Sequence, residues 1–263
     1  MIASRILLLI GMSLALMGSN CDKVVQGYLN CGNVLYAAKG SEGTAGDLFK
    51  VDPATAATTA VGPIGHGLTG LAVAPFPDCT IYGTTATSRT NGELITINPK
   101  TGAGTVVGPT DEAGVGNHPS IAGLTFVGGT LYGWSDEGAP ASSDDLVTID
   151  TATGAVTVIP SPLTTGSTGL AADSTGTLHV VRFDGDINTI DPATGTPTLV
   201  VNSAPWANGD QKAAAFVDGT LFAIDGGSGA GSLSSLVTID LGTGVVTPIG
   251  PLPDSIDSLA YAE

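Results

Sequence analysis

The stretch Gly169–Gly195, GLAADSTGTLHVVRFDGDINTIDPATG, holds three short apolar phrases separated by turn signals. They are Gly169-Leu170-Ala171-Ala172, then Leu178-His179-Val180-Val181, then Ile187-Asn188-Thr189-Ile190, and a fourth run, Pro197 to Val201, follows the Thr-Gly. Runs of this length bounded by Asp, Gly, Ser and Pro read as β-strands joined by tight turns. We label the four strands a to d in chain order.

The same unit recurs along the chain. Strand c ends in an Asp or Asn at positions 52, 98, 150, 191 and 240, so the steps are 46, 52, 41 and 49 residues. Strand b appears as Leu35-Tyr36, Ile81-Tyr82, Leu131-Tyr132, Leu178-His179 and Leu221-Phe222. Strand a appears as Gly70-Leu71-Ala72, Gly123-Leu124-Thr125, Gly169-Leu170-Ala171, a degenerate Ala213-Ala214-Ala215, and Ser258-Leu259-Ala260. Four short strands at such a period make one propeller blade. The chain after its leader starts with b-c-d and finishes with a lone a, Ile256–Ala262. The expected fold is therefore all-β: a five-bladed propeller of four-stranded antiparallel blades, its first blade closed by the C-terminal strand. Closure of this kind removes free sheet edges.

Local chemistry agrees. The small a phrase suits strands crowding a narrow axis, and alternating Ile95/Ile97 and Val147/Ile149 suit a packed blade face. The repeated Asp-Pro-Ala-Thr-Gly segments place a carboxylate able to accept backbone N–H groups beside a Gly free to adopt positive φ, so these Asp read as turn caps.

The phrases Gly169-Leu170-Ala171-Ala172-Asp173, Gly176-Thr177-Leu178 and Ile190-Asp191-Pro192-Ala193-Thr194-Gly195 resemble the repeats of secreted YVTN/NHL-like (YncE-like) β-propellers. The resemblance covers about residues 31–263. It implies the architecture. Propellers of this kind serve as binding platforms, lyases, lactonases and envelope components, and no catalytic motif of the family is matched.

Composition excludes several classes. Gly at 38 and Pro at 16 are too many for a helical protein, and 42% hydrophobic residues with 12% charged are too apolar for a disordered one. Eight Lys+Arg against 24 Asp+Glu give a net charge of −16, which cannot neutralise nucleic-acid phosphates. Aromatics at 5% offer no stacking platform for single strands.

Residues 1–20 read as a signal peptide, with Arg5 before an apolar run from Ile6 to Met17 that is too short to span a bilayer. Residues 21–30 form an N-terminal tail and 31–263 a single propeller domain. An exported location, periplasmic, extracellular or at the cell surface, follows, and with it an oxidising compartment. Three cysteines allow one bridge. Cys21–Cys31 would staple the tail; Cys31–Cys79 would link two positions just before equivalent b strands and leave Cys21 for a lipid anchor, the one route to a membrane.

Turns a–b and c–d are expected to be uniform, and connections b–c and d–a individual. The second set emerges on one face, and binding residues concentrate on variable loops over rigid scaffolds. Candidate ligand-binding residues there are His66, Arg89, His118, Trp134, Asp136, Arg182, Trp206 and Asp225. His66 and His118, with a carboxylate, suit a catalytic metal. Asp184, Asp186 and Asn188 form an oxygen-rich alternation suited to calcium, although Asp186 also falls in a column of solvated strand starts with Asp47, Glu93 and Asp145. Trp134 and Trp206 are expected as exposed platforms for a carbohydrate or peptide. His179 replaces Tyr in the b phrase and reads as a core histidine. No Gly-x-Ser-x-Gly elbow, Walker loop or His-Glu-x-x-His run occurs. The expected function is an exported, non-enzymatic propeller that binds a protein or glycan through its variable face, with no cofactor other than calcium. The alternatives are a lyase, lactonase or glycosidase working at the axial channel mouth, and a structural envelope component.

Overall fold

Strands b and c are apolar on both faces, and this requires each sheet to be sandwiched between two others. The computed structural model describes residues 31–39, 45–87, 90–112, 116–117, 121–135, 144–163, 167–203, 206, 211–226 and 233–263. The leader, the tail and Cys21 lie outside the described residues.

Blade I comprises β1 (Val34–Lys39), β2 (Asp47–Val51) and β3 (Thr58–Pro63). Blade II follows as β4 (Leu68–Val73), β5 (Ile81–Thr87), β6 (Thr90–Ile97) and β7 (Gly104–Pro109). Two short strands, β8 (Asp111–Glu112) and β9 (Gly116–Asn117), precede blade III, which is β10 (Ile121–Val127), β11 (Thr130–Ser135), β12 (Asp145–Ile149) and β13 (Val156–Ile159). Blade IV is β14 (Ser167–Ala172), β15 (Leu178–Arg182), β16 (Asp186–Ile190) and β17 (Pro197–Asn202). Blade V is β18 (Gln211–Val217), β19 (Thr220–Gly226), β20 (Ser234–Ile239) and β21 (Val246–Leu252). The last strand, β22 (Ile256–Ala262), is the inner strand of blade I, in the order β22-β1-β2-β3. The five-bladed, ring-closed architecture expected from the repeats is thus the fold.

The ring seals by antiparallel pairing of Val34 with Ala262, Leu35 with Tyr261, Tyr36 with Ala260 and Ala37 with Leu259. Beyond the ladder, Cys31 N donates to Glu263 O at 2.6 Å. The five inner strands β22, β4, β10, β14 and β18 each touch the next around the axis. Where they approach, the a-phrase glycines are required: a Cβ on Gly70 would lie 2.9 Å from Leu124 Cγ, and one on Gly169 would lie 3.0 Å from Ala214 N.

Burial follows the radius. Inner and middle strands are mostly buried, whereas outer strands such as β17 are exposed along most of their length. Each hydrophobic cluster fills one seam between neighbouring blades. Within strand c, residues from both sides are buried: Leu146 packs towards blade IV, while Val147 and Ile149 pack towards blade II. A single buried face, as simple alternation would have it, is not what a blade needs when it has a neighbour on either side. Blade III also carries an addition. β8 pairs in parallel with its outer strand, Val156 to Glu112, and β9 pairs with β8, which together cover that edge.

Every c–d turn spans six residues: 52–57, 98–103, 150–155, 191–196 and 240–245. Their first side chains cap backbone amides, Asp52 Oδ1 from Ala54 N at 2.8 Å, Asp191 Oδ1 from Ala193 N at 2.8 Å and Asn98 Oδ1 from Lys100 N at 2.9 Å. The turns also fit against the preceding blade, backbone to backbone. Gly102 (φ 79°) closes on Gly62 O and Gly195 (φ 66°) on Pro160 O, with no room for a Cβ. Gly154 and Gly244 make the same approach to Gly108 and Asn202. Gly102→Ala or Gly195→Ala is accordingly expected to cost about 1–3 kcal/mol, from positive φ and steric conflict together. Urea denaturation checks this, and unchanged midpoints would mean the latches are loose.

The disulfide joins Cys31 to Cys79, Cα atoms 5.3 Å apart, and so ties the start of blade I to the a–b connection of blade II. Of the two pairings the spacing allowed, this is the one between positions just before equivalent b strands.

Candidate functional site

The b–c connections run from two residues (88–89) to nine (136–144), and the d–a connections from three (253–255) to eleven (110–120). The a–b connections, expected to be uniform, are not: they span 74–80, 128–129, 173–177 and 218–219. The Phe76-Pro77-Asp78-Cys79 segment lengthens the first and carries one half of the disulfide.

At the loop-bearing end of strand b, geometrically equivalent positions hold Lys39, Thr85, Ser135, Arg182 and Asp225, paired with Ile256, Leu68, Ile121, Ser167 and Gln211 of strand a. One scaffold position thus holds two half-buried cations, two buried hydroxyls and a buried carboxylate. Arg182 pairs with Asp184 at 3.0 Å and Asp186 at 3.6 Å, and Asn202 Nδ2 donates to Asp186 Oδ1 at 2.9 Å. A guanidinium therefore already holds the two carboxylates that calcium would need. Asn188, the third expected ligand, is buried in β16 at the position where other blades have Phe49, Ile95, Val147 and Val237. Among the described residues, no three His, Cys, Asp or Glu side chains converge as a metal site.

Both tryptophans depart from the expected exposed platforms. Trp134 is 0% exposed and packs in the seam between blades III and IV with Leu146, Leu170, Leu178 and Val180. Trp206 is half-buried against the seam between blades IV and V, beside Val201 and Leu241. The indole N–H of each is buried and finds no acceptor among the described residues. Asp225 is also interior, at 2% exposure. His66 is half-buried, its carbonyl accepts from Gly46 N at 3.0 Å, and its ring packs on β7 near Gly104. Arg89, His118 and Asp136 lie outside the described residues, so the pairing of His66 with His118 does too.

Sequence reasoning missed the ion pair of Lys212 and Asp257, 2.6 Å apart and largely buried, which links inner strands β18 and β22 across the seam between blades V and I. The signal was present in the repeats. These two residues occupy the position where other a strands have Thr69, Ala122 and Thr168. Lys39 with Asp254, 3.5 Å apart and more exposed, extends the charged set.

At the opposite end of the axis lies a cavity of about 140 Å³ formed by the far ends of all five inner strands, among them Ala72, Thr125, Asp173, Phe216 and Tyr261. His179 stands behind this wall. It is 5% exposed, meets the Phe216 ring at a 60° tilt with centroids 5.0 Å apart, and its Nε2 meets Asp173 Oδ2 at 3.4 Å. The position is a repeating one, since Tyr82 meets Phe126 in the same way with centroids 5.7 Å apart. His179 is thus a core residue, as its place in the b phrase implies. Burial pushes the imidazole below its usual 6.5, against the pull of Asp173. For Asp173, burial raises the carboxyl, but hydrogen bonds from the Thr175 hydroxyl, the Thr177 and Thr175 amides and His179 outweigh it and hold the group at about 2.

Both shifts make acid destabilising. Below 6.5 the unfolded chain binds a proton that folded His179 resists, and between 3.8 and about 2 it binds one that folded Asp173 resists. Melting temperature is expected to fall as pH drops below neutral and again below 3.8. His179→Phe, which copies Phe222 of blade V, should flatten the first fall. Melting curves across pH for both proteins check this, and equal slopes would remove His179 as the cause.

No protein-family model and no curated protein matches the chain. Among solved structures it is similar to a protein of unknown function from Bacteroides caccae, at 12% identity and a TM-score of 0.52, over 87% of this chain and 98% of that one. At that identity the likeness shows a shared fold. The chain is a five-bladed β-propeller. Among the described residues, no helix is long and apolar enough to cross a membrane.

Proposed function

We propose that this propeller is an exported, non-enzymatic protein of the YVTN/NHL-like kind that binds a protein or glycan through its b–c and d–a loops. One observation carries the reading. Every c–d turn has six residues, while b–c connections vary from two to nine and d–a connections from three to eleven. With the c–d turns constant, differences in the b–c and d–a loops can tune recognition without disturbing the fold. On the same side Lys39 and Arg182, half-buried at equivalent positions, place charge at the base of those loops. Export is supported by the apolar leader and by the Cys31–Cys79 disulfide, a bond that persists in oxidising compartments.

The test is a glycan-array and protein-binding screen of the mature protein, with and without a chelator. Arg182→Ala and His118→Ala are expected to weaken the selected partner at least about tenfold, while Thr194→Ala in a c–d turn leaves it unchanged. Loss from Thr194→Ala with normal binding by the other two would place recognition on the wrong face.

A further inference from the structure

The axial cavity lies away from the variable loops. Its 140 Å³ is close to the size of an engineered protein cavity that holds benzene. Three aromatic residues, Phe126, Phe216 and Tyr261, line it together with Asp173 and Glu263, and no Lys, Arg or His does. The a–b connections at this end add carboxylates. Asp78, Asp173 and Asp218 stand in the a–b connections at this end. Lys39, Arg182 and Lys212 all belong to the other end, where they are paired with carboxylates. Tyr261 registers the local field: its phenol is pushed up by burial, and further by Asp218 and Glu263.

Aromatic faces attract a cation through their quadrupole, and carboxylates at a narrow mouth concentrate cations around it. A bare divalent ion needs a cage of oxygens, and no three carboxylates converge here among the described residues. We propose that the axial cavity binds a small organic cation, an ammonium compound of about six to eight non-hydrogen atoms. Asp173 carries the countercharge. Its Oδ1 is committed to the Thr175 and Thr177 amides, while Oδ2 has His179 as partner. Phe216 is held in place from behind by the His179 ring.

Calorimetric titration with choline, against its neutral carbon isostere neohexyl alcohol, tests this in the full-length protein. Choline is expected to give a saturable heat, and the isostere to bind at least about tenfold more weakly. Asp173→Asn, which can still cap the turn through its amide oxygen, should weaken choline by a similar factor. Thr125→Leu, which fills the cavity, should abolish the heat, and this second variant decides the matter if Asp173→Asn does not fold. Arg182→Ala should have no effect, which separates this site from the loop face. Flotation with phosphatidylcholine vesicles distinguishes a head group on a surface from a free solute. No choline heat up to about 20 mM, equal binding of the isostere, or full binding by Thr125→Leu would overturn the proposal.

Discussion

Removal of Ile256–Glu263 is expected to abolish the cooperative thermal transition rather than merely lower it. β22 is the inner strand of blade I and donates to two seams at once. Ile256 and Leu259 belong to the cluster between blades V and I, and Ala260 and Ala262 to the cluster between blades I and II. Fully burying Ile256 and Leu259 alone stabilises by about 3–6 kcal/mol, before the ladder with β1 and the Lys212–Asp257 pair are counted. Domains of ordinary stability have about 5–15 kcal/mol in total. The truncated ring would also present the edge of β1 and the flanks of β18 and β4 to solvent, inviting association. Calorimetry and light scattering of the truncated protein check this. A sharp transition at the parental temperature would show that the seam is dispensable.

The second large effect is at Trp134. Trp134→Ala should destabilise by about 3–5 kcal/mol, because a fully buried large aromatic leaves a void that five packed blades cannot close. Trp134→Phe should cost less. It retains a ring against Leu146 and Leu170, and it removes an indole N–H that has no acceptor among the described residues. Chemical denaturation with both variants measures the difference. A change below about 1 kcal/mol for the alanine variant would match an exposed loop position.

That residue also shows where reading the chain reaches its limit. The blade count, the closing strand and the turn caps were legible because each rests on a phrase repeated in every blade, and coincident errors across all copies are improbable. Trp134 has no such support. It ends the phrase Leu131-Tyr132-Gly133-Trp134 beside a long loop, and position alone suggested exposure. In a blade packed on both sides, burial continues through Trp134 to Ser135. Asp225 at the end of β19 was misplaced for the same reason. The Lys212–Asp257 pair was obscured because the neighbouring a phrase of blade V, Ala213-Ala214-Ala215, is the degenerate copy. Loop-borne residues such as Arg89, His118 and Asp136 have no repeat to fix them, since what distinguishes these loops is that they differ.

The backbone latches at Gly102, Gly154, Gly195 and Gly244 have a consequence for blade number. Contacts at the axis fix how closely inner strands approach, and contacts at the rim fix how far each blade turns from the last. Two concentric sets of backbone contacts determine one angle between neighbours, and a ring closes only when that angle divides the circle. Inserting or losing a blade would open the rim, the axis or both. Because glycine–carbonyl contacts carry four of the five rim seams, with Ala56 (φ 59°) facing Gly250 at the fifth, side chains on the outer strands remain free to change, while the count of five is held mainly by main chain.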